Sequence, residues 1–167
     1  YERSWGRTAD YPYSIEDFPK DFTPWLGHDR KVMASDIGAT RFRQALLIAV
    51  IEHVRPRRVL EIGCGNGINL LLLAGRFADI GFHGLELTAA GVRAAQRFQS
   101  SHERLPAALQ AYAPQPLADA TAFRKVAFSR GNAAALPFPD GAFDLVYTSL
   151  ALEQMEAVRG IDDVIRR

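Results

Sequence analysis

Four short apolar runs alternate with helical patterns between residues 59 and 148. The runs are VLEI at 59–62, FHGLEL at 82–87, VAFS at 126–129 and FDLVYT at 143–148. Each has the length of a buried strand. Between the first two, residues 69–77 (NLLLLAGRF) have the spacing and leucine content of a buried helix, and residues 89–102 predict a second one. Another helix is expected from about residue 152. Strands alternating with helices of this length predict an α/β domain, a mainly parallel sheet with flanking helices.

Upstream, residues 29–53 carry a helical period. Phe42, Leu46, Ala49, Val50 and His53 recur at steps of three and four and are expected to form its buried face. Residues 1–28 show neither period and are rich in aromatics and prolines, with Trp5, Tyr11, Tyr13, Phe18, Phe22 and Trp25 interleaved with Pro12, Pro19 and Pro24. They read as an irregular arm, a packing element or a lid over a site. Residues 29–167 then form the main domain. The 105–124 connection is longer than usual, holds three prolines, and is expected to contain a helical turn near 107–112.

Composition narrows the class only modestly. With 48% apolar and 23% charged residues the chain is of ordinary globular type. A net charge of +1 provides no long-range field for nucleic acid. The only tight basic cluster, Arg55, Arg57 and Arg58, reads as a solvated turn before a strand. One cysteine, Cys64, excludes an internal disulfide. No apolar run reaches the ~20 residues that span a bilayer. A cytoplasmic setting without membrane or nucleic-acid partners is therefore the expectation, and no pattern of metal ligands stands out.

The chemistry concentrates in Gly63-Cys64-Gly65-Asn66-Gly67, between the first strand and its helix. Such a turn can hold an anion on backbone N–H groups at a helix N-terminus. The dinucleotide fingerprint nevertheless fails, because its third glycine position is Ile68. Glu61 would also set a carboxylate against a pyrophosphate. A P-loop lacks its Lys-Ser or Lys-Thr. A ligand carrying both a cationic and an anionic end suits the stretch better, its cation near Glu61 and its carboxylate on the helix amides.

LEIGCGNG resembles motif I of the class I S-adenosylmethionine-dependent methyltransferases. GLELT at 84–88 and GNAAALPFPDGAFDLVYTSLALEQM at 131–155 follow in that family's order, so the resemblance covers roughly residues 59–155. It implies a Rossmann-like fold and S-adenosylmethionine as cofactor. Carried over position by position, Glu61, Gly63, Cys64, Gly65, Asn66 and Gly67 surround the methionine part, and Glu86 takes the ribose hydroxyls. Leu87 packs on the adenine, Asn132 and Ala133 meet the adenine edge, and Ser149 and Leu150 lie near the methionine end. Asn132 stands where the family commonly has Asp; its side-chain oxygen still accepts.

The implied reaction is methyl transfer to a small-molecule acceptor. A general base is needed only for a poor nucleophile, and Glu153 and His28 are the candidates by position. His53, His83 and His102 read as structural or solvated, Cys64 as backbone filler, and Asp144 as a loop-orienting residue. A non-catalytic, methyltransferase-like domain that binds cofactor or a partner is the alternative. The family's sheet has seven strands and four are identifiable here, so the chain is expected either to be a fragment truncated after the fourth strand, the favoured reading, or to have that edge covered by another chain. In a fragment that edge would be open to self-association.

Overall fold

The computed structural model describes residues 22–27 and 30–151 of the chain. Its first element corrects the expected arm. Strand β1 (Phe22–Gly27) pairs antiparallel with β2 (Arg30–Ser35), from Phe22 opposite Ser35 to Gly27 opposite Arg30. Pro24 sits inside β1, opposite Met33. A proline argues against a central strand but is tolerated on the edge of a two-stranded ribbon, which explains why the sequence pattern hid it.

Helix α1 (Asp36–Val54) consequently starts later than residue 29. Ser35 caps it, its Oγ accepting from Gly38 N–H at 3.1 Å, and Arg55 ends it in the left-handed region at φ 53°. Its buried face is also not the expected one. Ala39, Gln44, Ile48 and Ile51 are buried, whereas Phe42, Leu46 and Val50 are 54%, 53% and 44% exposed, and Ala49 and His53 are exposed too. Apolar residues occur on both sides of this helix. Period alone therefore could not select a face; packing against the rest of the domain did.

The main sheet has strands β3 (Arg58–Ile62), β4 (Gly81–Glu86), β5 (Ala127–Arg130) and β6 (Leu145–Thr148), all parallel. Their order is β5-β4-β3-β6. From β3 the chain moves outward through β4 to β5 and then returns to β3's other side. The strand order thus reverses between β3 and β6, the place where open parallel sheets hold ligands beyond the carboxyl ends of their strands. Among the described residues β6 is an edge strand.

Helix α2 (Ile68–Arg76) follows β3, and its residues Leu70–Gly75 are all buried. Helix α3 (Ala89–Ser101) follows β4 and buries Ala90, Val92, Ala94, Ala95 and Phe98. Ile48 and Ile51 of α1 join Val59, Phe82 and the α2 leucines in one core cluster. On the opposite face of the sheet, Leu60, Ile62 and Val146 line an open groove of about 510 Å³ with residues 133–136 and 138–143.

The 105–124 connection acquires a role that its sequence did not reveal. It carries the short helix α4 (Ala107–Gln110), within the expected stretch, and folds back over α2. Leu105, Leu109, Tyr112 and Phe123 are buried in the core cluster, and Asp119 N–H bonds to Gly75 C=O at 2.9 Å. Arg41 of α1 donates to Ala111 C=O at 3.2 Å. The long loop is a cover for α2.

Candidate functional site

The glycine turn leaves β3 through three left-handed residues, Gly63 at φ 71°, Gly65 at 56° and Gly67 at 78°. Only glycine visits that region without a Cβ penalty, so the alternating spacing follows from backbone sterics. At Gly67 there is a second constraint, because a Cβ would run into the Phe128 ring. Gly63 and Cys64 N–H groups bond to Leu85 C=O at 2.8 and 3.2 Å, which ties the turn to the end of β4. Gly67 caps α2 without a side-chain acceptor, and Asn66 Oδ1 accepts from Ile68 N–H at 3.3 Å. The start of α2 therefore presents backbone donors just beyond the carboxyl ends of β3 and β4.

Two buried carboxylates flank this turn. Glu86, the last residue of β4, is 1% exposed. Its Oε2 accepts from Gly65 N–H at 3.1 Å, and its Oε1 accepts from Thr88 N–H at 2.9 Å and Thr88 Oγ1 at 2.8 Å. Three of a carboxylate's roughly four acceptor positions are thus taken internally, leaving one on Oε2. Thr88 also accepts from Gly91 N–H at 3.1 Å as the cap of α3. Thr88 was missed in the sequence, although a Thr just before a helical run is an N-cap signal.

Glu61 on β3 is the other acid, also 1% exposed. Asn69 Nδ2 donates to its Oε1 at 3.0 Å, while Oε2 is buried with no hydrogen-bond partner among the described residues. Burial raises its pKa to about 7, against the opposing pull of Asn69, Tyr147 and the Arg43 charge. Asn69 is steadied in turn by buried Gln44 of α1, whose Nε2 lies 3.2 Å from both Asn69 C=O and Oδ1. Nothing in the sequence singled out Gln44, which lies 25 positions from the residue it touches.

The other expected positions gather around the same strand ends to different degrees. Leu87 is 48% exposed directly after Glu86. Asn132 is exposed beyond β5, and its Oδ1 accepts from Ala134 N–H at 3.0 Å, forming a local turn that also contains Ala133. Ser149 follows β6, and Leu150 adopts φ 59°, a strained conformation for a leucine, with 65% of its surface exposed. His28 and Glu153 lie outside the described residues.

The residues read as structural are buried or make internal contacts. Cys64 is buried, and burial together with the Glu61 and Glu86 charges pushes its thiol pKa well up, the opposite of an activated nucleophile. Asp144 Oδ2 accepts from both Arg57 and Arg58 N–H at 2.8 Å, stapling the start of β3 to that of β6. Those two bonds hold its carboxyl below the usual range. His83 bonds Ser129 Oγ at 2.8 Å, and His102 stacks on Phe98. Among the described residues no group of three or more His, Cys, Asp or Glu side chains is placed to hold a metal ion. No helix there is long and apolar enough to cross a membrane.

A parallel sheet reversing between β3 and β6, with a glycine turn and two acids at its carboxyl ends, defines a Rossmann-like methyltransferase domain. Comparison with known proteins agrees. The family model described as a methyltransferase domain matches residues 60–167, well over half of the chain, and the protein belongs to this family, the class I S-adenosylmethionine-dependent methyltransferases. Ajmaline N-methyltransferase of Rauvolfia serpentina is 32% identical over 102 residues, which are 61% of this chain and 28% of that enzyme. In fold the chain is similar to the YcgJ protein of Bacillus subtilis, with a TM-score of 0.53 and 23% identity over 75% of this chain and 43% of that one. It is also similar to the PH0226 protein of Pyrococcus horikoshii, with a TM-score of 0.50 and 20% identity over 78% of this chain and 53% of that one. The chain thus spans about a quarter to a half of the length of these relatives.

Proposed function

We propose that this domain binds S-adenosylmethionine at the carboxyl ends of β3, β4 and β6 and serves methyl transfer to a small-molecule acceptor. The observation that carries the reading is the buried, partnerless Oε2 of Glu61 beside a left-handed glycine turn. A buried carboxylate short of donors is costly, and an ammonium group would supply a further donor and the compensating charge. Glu86 fits as well. It holds Gly65 and Thr88 in place and keeps one acceptor position for a hydroxyl.

When bound, S-adenosylmethionine supplies a methyl group already activated on a sulfonium. Residues of this chain would then bind and orient. Glu61 would take the ammonium, the α2 amides the carboxylate, Glu86 the ribose, Leu87 the adenine face, and Asn132 and Ala133 its edge. Ser149 and Leu150 would border the reacting end. Alignment of two reactants can supply up to about 7–11 kcal/mol of a barrier, so a neutral amine acceptor requires no dedicated base. Similarity to an enzyme named for N-methylating ajmaline supports a small acceptor with a nitrogen nucleophile.

The test is titration of the full chain with S-adenosylhomocysteine, S-adenosylmethionine and NAD, followed by turnover assays on a panel of small amines. Binding of the adenosyl ligands with methyl transfer is expected. Binding of NAD alone would overturn the reading. Adenosyl binding with no transfer to any acceptor would leave a cofactor-binding module.

A further inference from the structure

Tyr147 lies inside the 131–155 stretch that resembles the family, but the resemblance gave it no role, and it occupies a particular place. It is the register partner of Glu61, on the strand just across the point where the sheet order reverses. Residues paired in parallel register point to the same face, so the phenol and the carboxylate lie side by side. Both Glu61 Oε2 and Tyr147 Oη are buried and without a hydrogen-bond partner among the described residues. Two orphaned polar atoms on adjacent strands, one an acceptor and one able to donate, are complementary.

We infer that Tyr147 is a positioning residue for the cofactor's amino-acid end, its hydroxyl turning to donate to Glu61 Oε2 and holding that carboxylate ionised and aimed. The inference rests on the cofactor reading above and extends it to a residue that the resemblance left without a role. Asn69 from α2 already fixes Oε1. Arg43 from α1 adds a positive charge, Cys64 in the turn itself stays neutral because its thiol pKa is pushed up, and Glu86 stands across the turn at the end of β4. Among the described residues, Tyr147 is the neighbour on β6 that can stabilise the charge by donating. The two groups influence each other in the expected directions. Tyr147 opposes the rise that burial imposes on Glu61, and burial and the Glu61 charge raise the phenol's own pKa.

The sign follows directly. If the cationic ligand needs Glu61 ionised, affinity rises with pH until Glu61 is fully deprotonated, and then levels. Loss of the phenol donor raises the Glu61 pKa and moves that midpoint up. The experiment is S-adenosylhomocysteine binding to the full chain from about pH 5.5 to about pH 9, roughly two units either side of neutrality at most, in wild type, Tyr147→Phe and Glu61→Gln. The expected midpoint lies near 7 in wild type, shifts upward by about one pH unit in Tyr147→Phe, and is abolished in Glu61→Gln. An unmoved midpoint in a folded Tyr147→Phe would overturn the inference.

A fluorine titration keeps the idea testable should that variant fail to fold. In wild-type protein labelled with 3-fluorotyrosine, one of five tyrosine signals should titrate near pH 7 and stop doing so in Glu61→Gln. Absence of such a signal would defeat the pairing. A wild-type chain that binds no S-adenosylhomocysteine at any pH would instead defeat the cofactor reading, while the fluorine titration still decides whether the two side chains are coupled.

Discussion

Glu86 Oε2 accepts a hydrogen bond from Gly65 N–H at 3.1 Å, so the acid at the end of β4 holds the turn that follows β3. Both groups are buried, and the contact joins two motifs that lie 21 residues apart in sequence. A residue expected only to meet a ribose is therefore also part of the scaffold. Glu86→Ala should weaken S-adenosylhomocysteine binding by ~1.5–3 kcal/mol, the range for hydrogen bonds to a charged group. It should also speed hydrogen exchange at the Gly65 and Thr88 amides. Calorimetry and exchange mass spectrometry check the two effects separately; unchanged exchange would remove the scaffold role.

Gly65→Val should abolish binding of the same ligand. At φ 56° a β-branched side chain is strained, and its bulk would stand on the turn where the ligand's carboxylate is expected. Circular dichroism should show a folded domain while titration shows no binding. A folded variant that binds normally would mean that no ligand approaches the turn.

Glu61 makes the stability of the free protein depend on pH in an unusual direction. Its pKa is about 7 in the fold and 4.5 when unfolded, so between those values the unfolded chain binds fewer protons. Stability should then fall as pH rises from about 4.5 to 7 and level beyond, by roughly 3 kcal/mol for this one group. Denaturant unfolding of wild type and Glu61→Gln across that window reads the effect as a difference. Parallel pH profiles for the two proteins would show that Glu61 is not titrating late.

Cys64 should resist thiol reagents in the native state. The side chain is buried, and its thiol is held protonated by desolvation and two neighbouring acids. Labelling by an aromatic disulfide should proceed only at the rate of opening and become immediate in denaturant. Rapid labelling of native protein would contradict the burial of the turn.

The choice of face on α1 is open to a direct comparison. Ile51 is 1% exposed and joins the core, so Ile51→Ala should cost about 2–5 kcal/mol. Leu46 is 53% exposed, and Leu46→Ala should cost less than about 1 kcal/mol. Unfolding midpoints in urea distinguish them, and the reverse ranking would restore the face expected from sequence.

Much of the fold was legible because its signals are local. Four apolar runs, two amphipathic helices and a glycine turn each state their conformation within a few residues, and β3, α2, β4 and α3 fall within a residue or two of the expected bounds. Left-handed backbone at Gly63, Gly65 and Gly67 is likewise a local steric matter that glycine advertises. The acids Glu61 and Glu86 were legible through their place at strand ends.

Tertiary structure decided what depends on partners distant in the chain. The face of α1 was fixed by what packs against it, since apolar residues on both sides left the helix without a preference of its own. Pairing across β1 and β2 overrode the proline that disguised a strand. The state of Glu61 depends on Gln44, Asn69 and Tyr147, brought together from α1, α2 and β6. None of the three declares that role where it stands. A backbone preference is written in one residue, but burial, and the charge state it sets, exist only once separate segments have closed around a group.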